Sequence, residues 1–119
     1  MWTLNPDANI DGTGLIQEAD FAPAFLVEQF GLPLPGDGCR MIGRYVFLNE
    51  ANELFTVYDY KSTSAYLDDE DALSPEDYWR SEMEQEMSVG GRGEYGDGSA
   101  AHFVAWLRRL QADWQERQL

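Results

Sequence analysis

The stretch CRMIGRYVFLNEANELFTVYDYK, residues 39–61, decides the fold. Tyr45, Val46, Phe47 and Leu48 are strand formers, as are most residues of LFTVYDYK, because branched and aromatic side chains suit a pleated, half-buried surface. The short polar link NEANE makes the runs at 39–49 and 54–61 an antiparallel hairpin. Alternation puts Leu54, Thr56, Tyr58 and Tyr60 on one face of the second strand, and Phe55, Val57 and Asp59 on the other. Both faces carry apolar groups, which predicts a central strand.

Toward the C-terminus, EMSVGG predicts a third strand at about 86–90, and RGEYGDG (92–98) a loop. The last helix, 99–116, is predicted to start at a Ser99 cap. Phe103, Trp106, Leu107, Leu110 and Trp114 form its apolar stripe, with Arg108, Arg109 and Gln111 off it. Toward the N-terminus, DFAPAFLVEQF predicts a helix over 20–30, capped by Asp20, with Pro23 in its first turn and Gly31 as its stop. GLPLPGDG (31–38) is a turn-rich connector. SPED (74–77) starts a short helix carrying Tyr78 and Trp79. The expectation is one α+β domain spanning 1–119: a small antiparallel sheet with the helices at 20–30 and 99–116 packed on one face.

Hydrophobic residues make up 44% of the 119, enough for a packed core, and the net charge is −14. That charge argues against direct binding to nucleic acid or an anionic membrane, which require a basic footprint. It fits solubility, or a partner with a basic surface. Cys39 is the one cysteine, so an internal disulfide is impossible; it reads as a small, half-buried residue. The opening MWTLNP has neither the charge nor the apolar run of a signal peptide, and no stretch has membrane-spanning length, so a cytoplasmic protein is expected.

DANIDGTGLIQE (7–18) fits the calcium-loop pattern, with Asp7, Asn9, Asp11 and Glu18 at ligand positions and Gly12 at the turn. Such a loop needs an entering helix, and MWTLNP cannot form one. Gly14 also stands where an aliphatic residue is usual. The stretch therefore reads as a Gly-rich turn running into a short strand at 14–17, and no metal or other cofactor is expected.

Catalysis needs convergent groups. His102 is the one histidine, at the start of the last helix, and no local signature pairs it with Cys39. Gly90-Gly91-Arg92-Gly93 lacks a helix start to aim its amides at a phosphate, and Glu94 and Asp97 would repel one. The expectation is a protein that is not an enzyme. The acidic segment is the strongest local anomaly: Asp68, Asp69, Glu70, Asp71, Glu76, Asp77, Glu82, Glu84 and Glu86 face Arg80 alone. With Tyr78 and Trp79 among them as anchors, these residues form the predicted partner-binding surface; the plainer alternative is a solvated loop and helix face.

The order GTGLI, FGLP, GDG, YVF, FTVYDYK and VGG, followed by an amphipathic helix, resembles small acidic uncharacterised proteins of phages, prophages and accessory bacterial DNA. The resemblance runs from Gly12 to about Leu110 and carries no activity with it. It implies that GTGLI is an opening turn rather than a calcium loop. The acidic insertion at about 67–77 departs from the pattern. By analogy with other accessory genes, it suggests a stoichiometric inhibitor, monomeric or homodimeric. Its target would be a defence complex of anti-CRISPR or anti-restriction type, whose basic nucleic-acid site it would occupy as a DNA mimic. The alternative is an immunity protein neutralising a toxin.

Overall fold

A computed structural model describes residues 1–92 and 98–119. Six strands and three helices follow in the order β1 (Thr3–Leu4), β2 (Gly14–Phe21), α1 (Pro23–Phe30), β3 (Leu34–Pro35), β4 (Met41–Leu48), β5 (Leu54–Tyr60), α2 (Pro75–Arg80), β6 (Gln85–Gly91) and α3 (Ser99–Arg117). The sheet runs β1-β4-β5-β6-β2, antiparallel at every pairing, with β3 added beside β4. This is an α+β fold with its helices packed on the sheet, as expected.

The hairpin forms where the sequence places it, and β5 is the middle strand. Its link is closed by Asn49, whose Oδ1 accepts from the amides of Ala51 and Glu53, both at 2.9 Å. Register sets Tyr45 opposite Val57, Phe47 opposite Phe55 and Val57 opposite Val89. These side chains, with Phe21 and Met87, form the helix-covered face. Phe103 of α3 stacks on Phe55 at 4.9 Å, Phe30 of α1 meets Phe47 at 5.0 Å, and Trp79 of α2 meets Tyr45 at 5.9 Å. Each fully buried Phe or Leu contributes roughly 1.5–3 kcal/mol through burial.

Several expectations are corrected. The run at 20–30 is not one helix: Asp20 belongs to β2, which pairs with β6 along its full length, and α1 begins at Pro23 after Ala22. Pairing to β6 outweighs the capping potential of Asp20, and the strand predicted at 14–17 extends to Phe21. Ser99 is not a cap either; Gly98 precedes the helix at φ 95°, and the Ser99 hydroxyl bonds Glu53. Gln111 is buried: its Oε1 accepts from the Ala22 amide at 2.7 Å, which satisfies the backbone where β2 passes into α1. The opening residues are structural too, with β1 on β4 and Trp2 against Phe103 at 5.5 Å. Most of the loop predicted at 92–98 lies outside the described residues.

Candidate functional site

The acidic segment has an ordered base and a charged tip. The buried Thr63 anchors it: its carbonyl accepts from the amides of Tyr66 and Leu67, and Ser64 N–H bonds Leu73 O at 2.8 Å. The chain between them projects Asp68, Asp69, Glu70 and Asp71 into solvent. Ser74 then caps α2 by accepting from the Asp77 amide at 3.1 Å, with Pro75 in the first turn and Glu76 and Asp77 exposed beside it. Glu82, Glu84 and Glu86 are exposed as well. Among the described residues, none of these nine acids forms an ion pair.

They do not form one patch. Glu84 accepts from Gln111 of α3 at 3.0 Å, on the helix side. Glu86 stands opposite Asp20 in the β2–β6 register, with Glu18 next along the same face, turned away from the helices. The closeness of Glu18, and secondarily the charge of Asp20, raises the Glu86 carboxyl above its ordinary value. Glu18 and Asp20 thus extend the acidic surface. The period-two spacing of charge in QEAD is the signal that could have found them, once the run is read as strand.

Tyr78 and Trp79 are not surface anchors. They are 1% and 9% exposed, packed at 5.5 Å from each other within the core. Burial also raises the Tyr78 hydroxyl far above its ordinary range. On so short a helix the inward face carries the aromatics and the outward face the acids. The aromatic and apolar groups that do reach solvent here are Tyr60, Tyr66, Leu67 and Met83. Lys61 joins the two tyrosines, with Nζ 5.1 Å and 5.0 Å from their ring centres.

Cys39 is exposed rather than half-buried, in the turn before β4, with Sγ donating to Ala65 O at 3.5 Å. His102 lies at the other end of β4, in a shallow hollow with Trp2 and Arg109. An eight-residue strand spans roughly 25 Å, so the two residues do not meet. Residues 5–13 form consecutive turns, not a helix-flanked loop: Asn9 Oδ1 accepts from the Asp11 amide at 2.9 Å, Gly12 takes φ 81°, and Glu18 is on β2. Among the described residues, no group of three or more His, Cys, Asp or Glu side chains could hold a metal ion.

These turns instead wall a pocket of about 230 Å³ on the sheet face turned away from the helices. Its floor is Arg44, Thr56, Tyr58 and Gly90, and its far wall is the turn at Asp37–Met41. Asp37 braces that turn by accepting from the amides of Cys39 and Met41, and these bonds hold its carboxyl below the ordinary value. Arg92 fixes the near wall through a 2.8 Å bond to Asn9 O. Comparison with family models and with curated proteins finds no match. No helix among the described residues is long and apolar enough to cross a membrane.

Proposed function

We propose that the protein is a non-enzymatic, cytoplasmic inhibitor that binds a basic surface of another protein through its acidic segment. Its target is a nucleic-acid-handling defence complex, and the carboxylates stand where phosphates would lie. The observation that carries this reading is the exposure of Asp68, Asp69, Glu70, Asp71, Glu76 and Asp77 without an ion pair among the described residues, beside exposed Tyr66 and Leu67. An unneutralised carboxylate array favours a cationic partner, and adjoining aromatic surface supplies contact energy that charge alone lacks.

The test is capture of the partner from host cells, followed by competition with nucleic acid. The expected partner carries a basic groove, forms a complex of fixed stoichiometry and loses nucleic-acid binding as the complex forms. Inhibition at a ratio far below one to one would refute the stoichiometric mechanism. A captured secreted toxin in place of a nucleic-acid-binding complex would assign the immunity role instead.

A further inference from the structure

The pocket on the sheet face turned away from the helices is lined by Arg44, which also borders a second hollow with Leu4, Pro6 and Leu34. Arg44 Nε is buried without a hydrogen-bond partner, and among the described residues no carboxylate pairs with its guanidinium. Buried donors are nearly always satisfied, and one that is not calls for a reason. Three charged side chains line the pocket: Arg40, Arg44 and Asp37. Arg40 is already engaged by Asp37 at 3.4 Å, and the other Asp37 oxygen is taken by backbone amides. The pocket is thus locally cationic in a chain of net charge −14.

The remaining lining is largely carbon, from Ile10, Met41 and the rings of Tyr58 and Tyr60. Gly90 keeps the floor open: a Cβ there would stand 2.5 Å from Thr56 Oγ1 and 3.3 Å from a Tyr58 ring carbon. Burial, and secondarily Tyr60, raises the Tyr58 hydroxyl above its ordinary value, so it stays protonated and able to donate at neutral pH.

We propose that this pocket binds a small monoanionic carboxylic acid with an aromatic or compact apolar body, its carboxylate on Arg44 and its body over Thr56, Tyr58 and Gly90. Volume sets the size, since a dry cavity of about 150 Å³ already admits benzene. Charge sets the valence: one free guanidinium matches one carboxylate, and the surrounding negative field disfavours a dianion.

The test is amide-resolved NMR titration of the whole protein with benzoate and phenylacetate, against benzamide, phenylacetamide and inorganic phosphate. The acids are expected to shift the amides of Arg44, Thr56, Tyr58 and Gly90 and to bind at least tenfold more tightly than the neutral amides. Gly90→Ala should weaken the acids tenfold or more, and Arg44→Met should erase the preference for acid over amide. The acid–amide comparison on the unaltered protein stands even if a variant fails to fold. Equal binding of acid and amide, shifts confined to another surface, preference for phosphate, or no shift at 10 mM ligand would each overturn the proposal.

Discussion

Asp59 is a buried carboxylate with a backbone task. β4 carries an irregularity between Met41 and Arg44, which leaves the amides of Ile42 and Gly43 outside the regular ladder. Asp59 reaches across from β5 and accepts from both, at 3.1 Å and 2.8 Å. Asp59→Ala strands one buried and one half-buried donor, the buried one at about 1–3 kcal/mol, so a loss on the order of 2–4 kcal/mol is expected in a denaturant titration. Burial raises the Asp59 carboxyl above its ordinary 3.8, against the opposing pull of those two amides. The native state therefore holds this proton more tightly than the unfolded chain does. The group's contribution to stability is fully present below 3.8 and declines as pH rises through the folded value. Asp59→Asn keeps an acceptor and removes the titration, so its melting temperature should improve relative to the unaltered protein between pH 3 and pH 7. A difference independent of pH would show that burial is not what perturbs Asp59. Trp79 tests the core in a simpler way. Trp79→Ala should cost about 3–5 kcal/mol, a fall in melting temperature on the order of 10–20 °C. Trp79→Phe should cost less, because the indole N–H it removes has no hydrogen-bond partner.

At the scale of elements, the hairpin and α3 were legible because each has a single strong period: strand formers bracketing a short link, and five apolar residues at helical spacing. β2 was not. Its Pro-containing continuation mimics a helix start, and only pairing with β6 reveals that EADF is extended as well. The same pairing is what brings Glu18 and Asp20 to Glu86, so that part of the acidic surface was hidden for a topological reason. The pocket was hidden too, since its walls come from residues 10–14 and 37–41 and its floor from three strands. Tyr78 and Trp79 were misplaced because a six-residue helix is too short for periodicity to tell its inward face from its outward one. Raised as it is above 4.5, the Glu86 carboxyl is repelled at neutral pH, and its contribution to stability falls as pH rises through the folded value. Glu86→Gln should therefore raise the melting temperature at pH 7, with the gain disappearing below pH 4.5. An unchanged or lowered value at pH 7 would show that solvent screens the three carboxylates from one another. Ser74→Ala should cost about 1 kcal/mol through loss of the α2 cap.

At the scale of the whole molecule, charge and fold are separable, because the tip acids sit outside the core while Thr63 and the Ser64–Leu73 bond close the loop beneath them. Reversing Asp68, Asp69, Glu70 and Asp71 to lysine changes the charge by two at each position, taking the chain from −14 to −6. Surface substitutions of this kind stay within about 0.5 kcal/mol each; Asp69→Lys also removes the 2.9 Å bond from the Asp71 amide, while relief of self-repulsion works in the stabilising direction, so the melting temperature should stay close to that of the unaltered protein. Association with the captured partner should respond differently. Steering by exposed charge accelerates encounter by roughly 10–1,000-fold, and the reversal removes it, so the on-rate at physiological salt should fall at least tenfold. At 1 M salt the Debye length shrinks to about 3 Å, and the two proteins should then associate at similar rates. Tyr66→Ala should leave the on-rate in place and raise the off-rate, since an aromatic contact acts after encounter. Surface plasmon resonance across a salt series separates these effects. On-rates indifferent to both salt and charge reversal would mean that the segment is only a solvated face, and binding would then have to be sought elsewhere, around the turn at Asp37 and the pocket it walls.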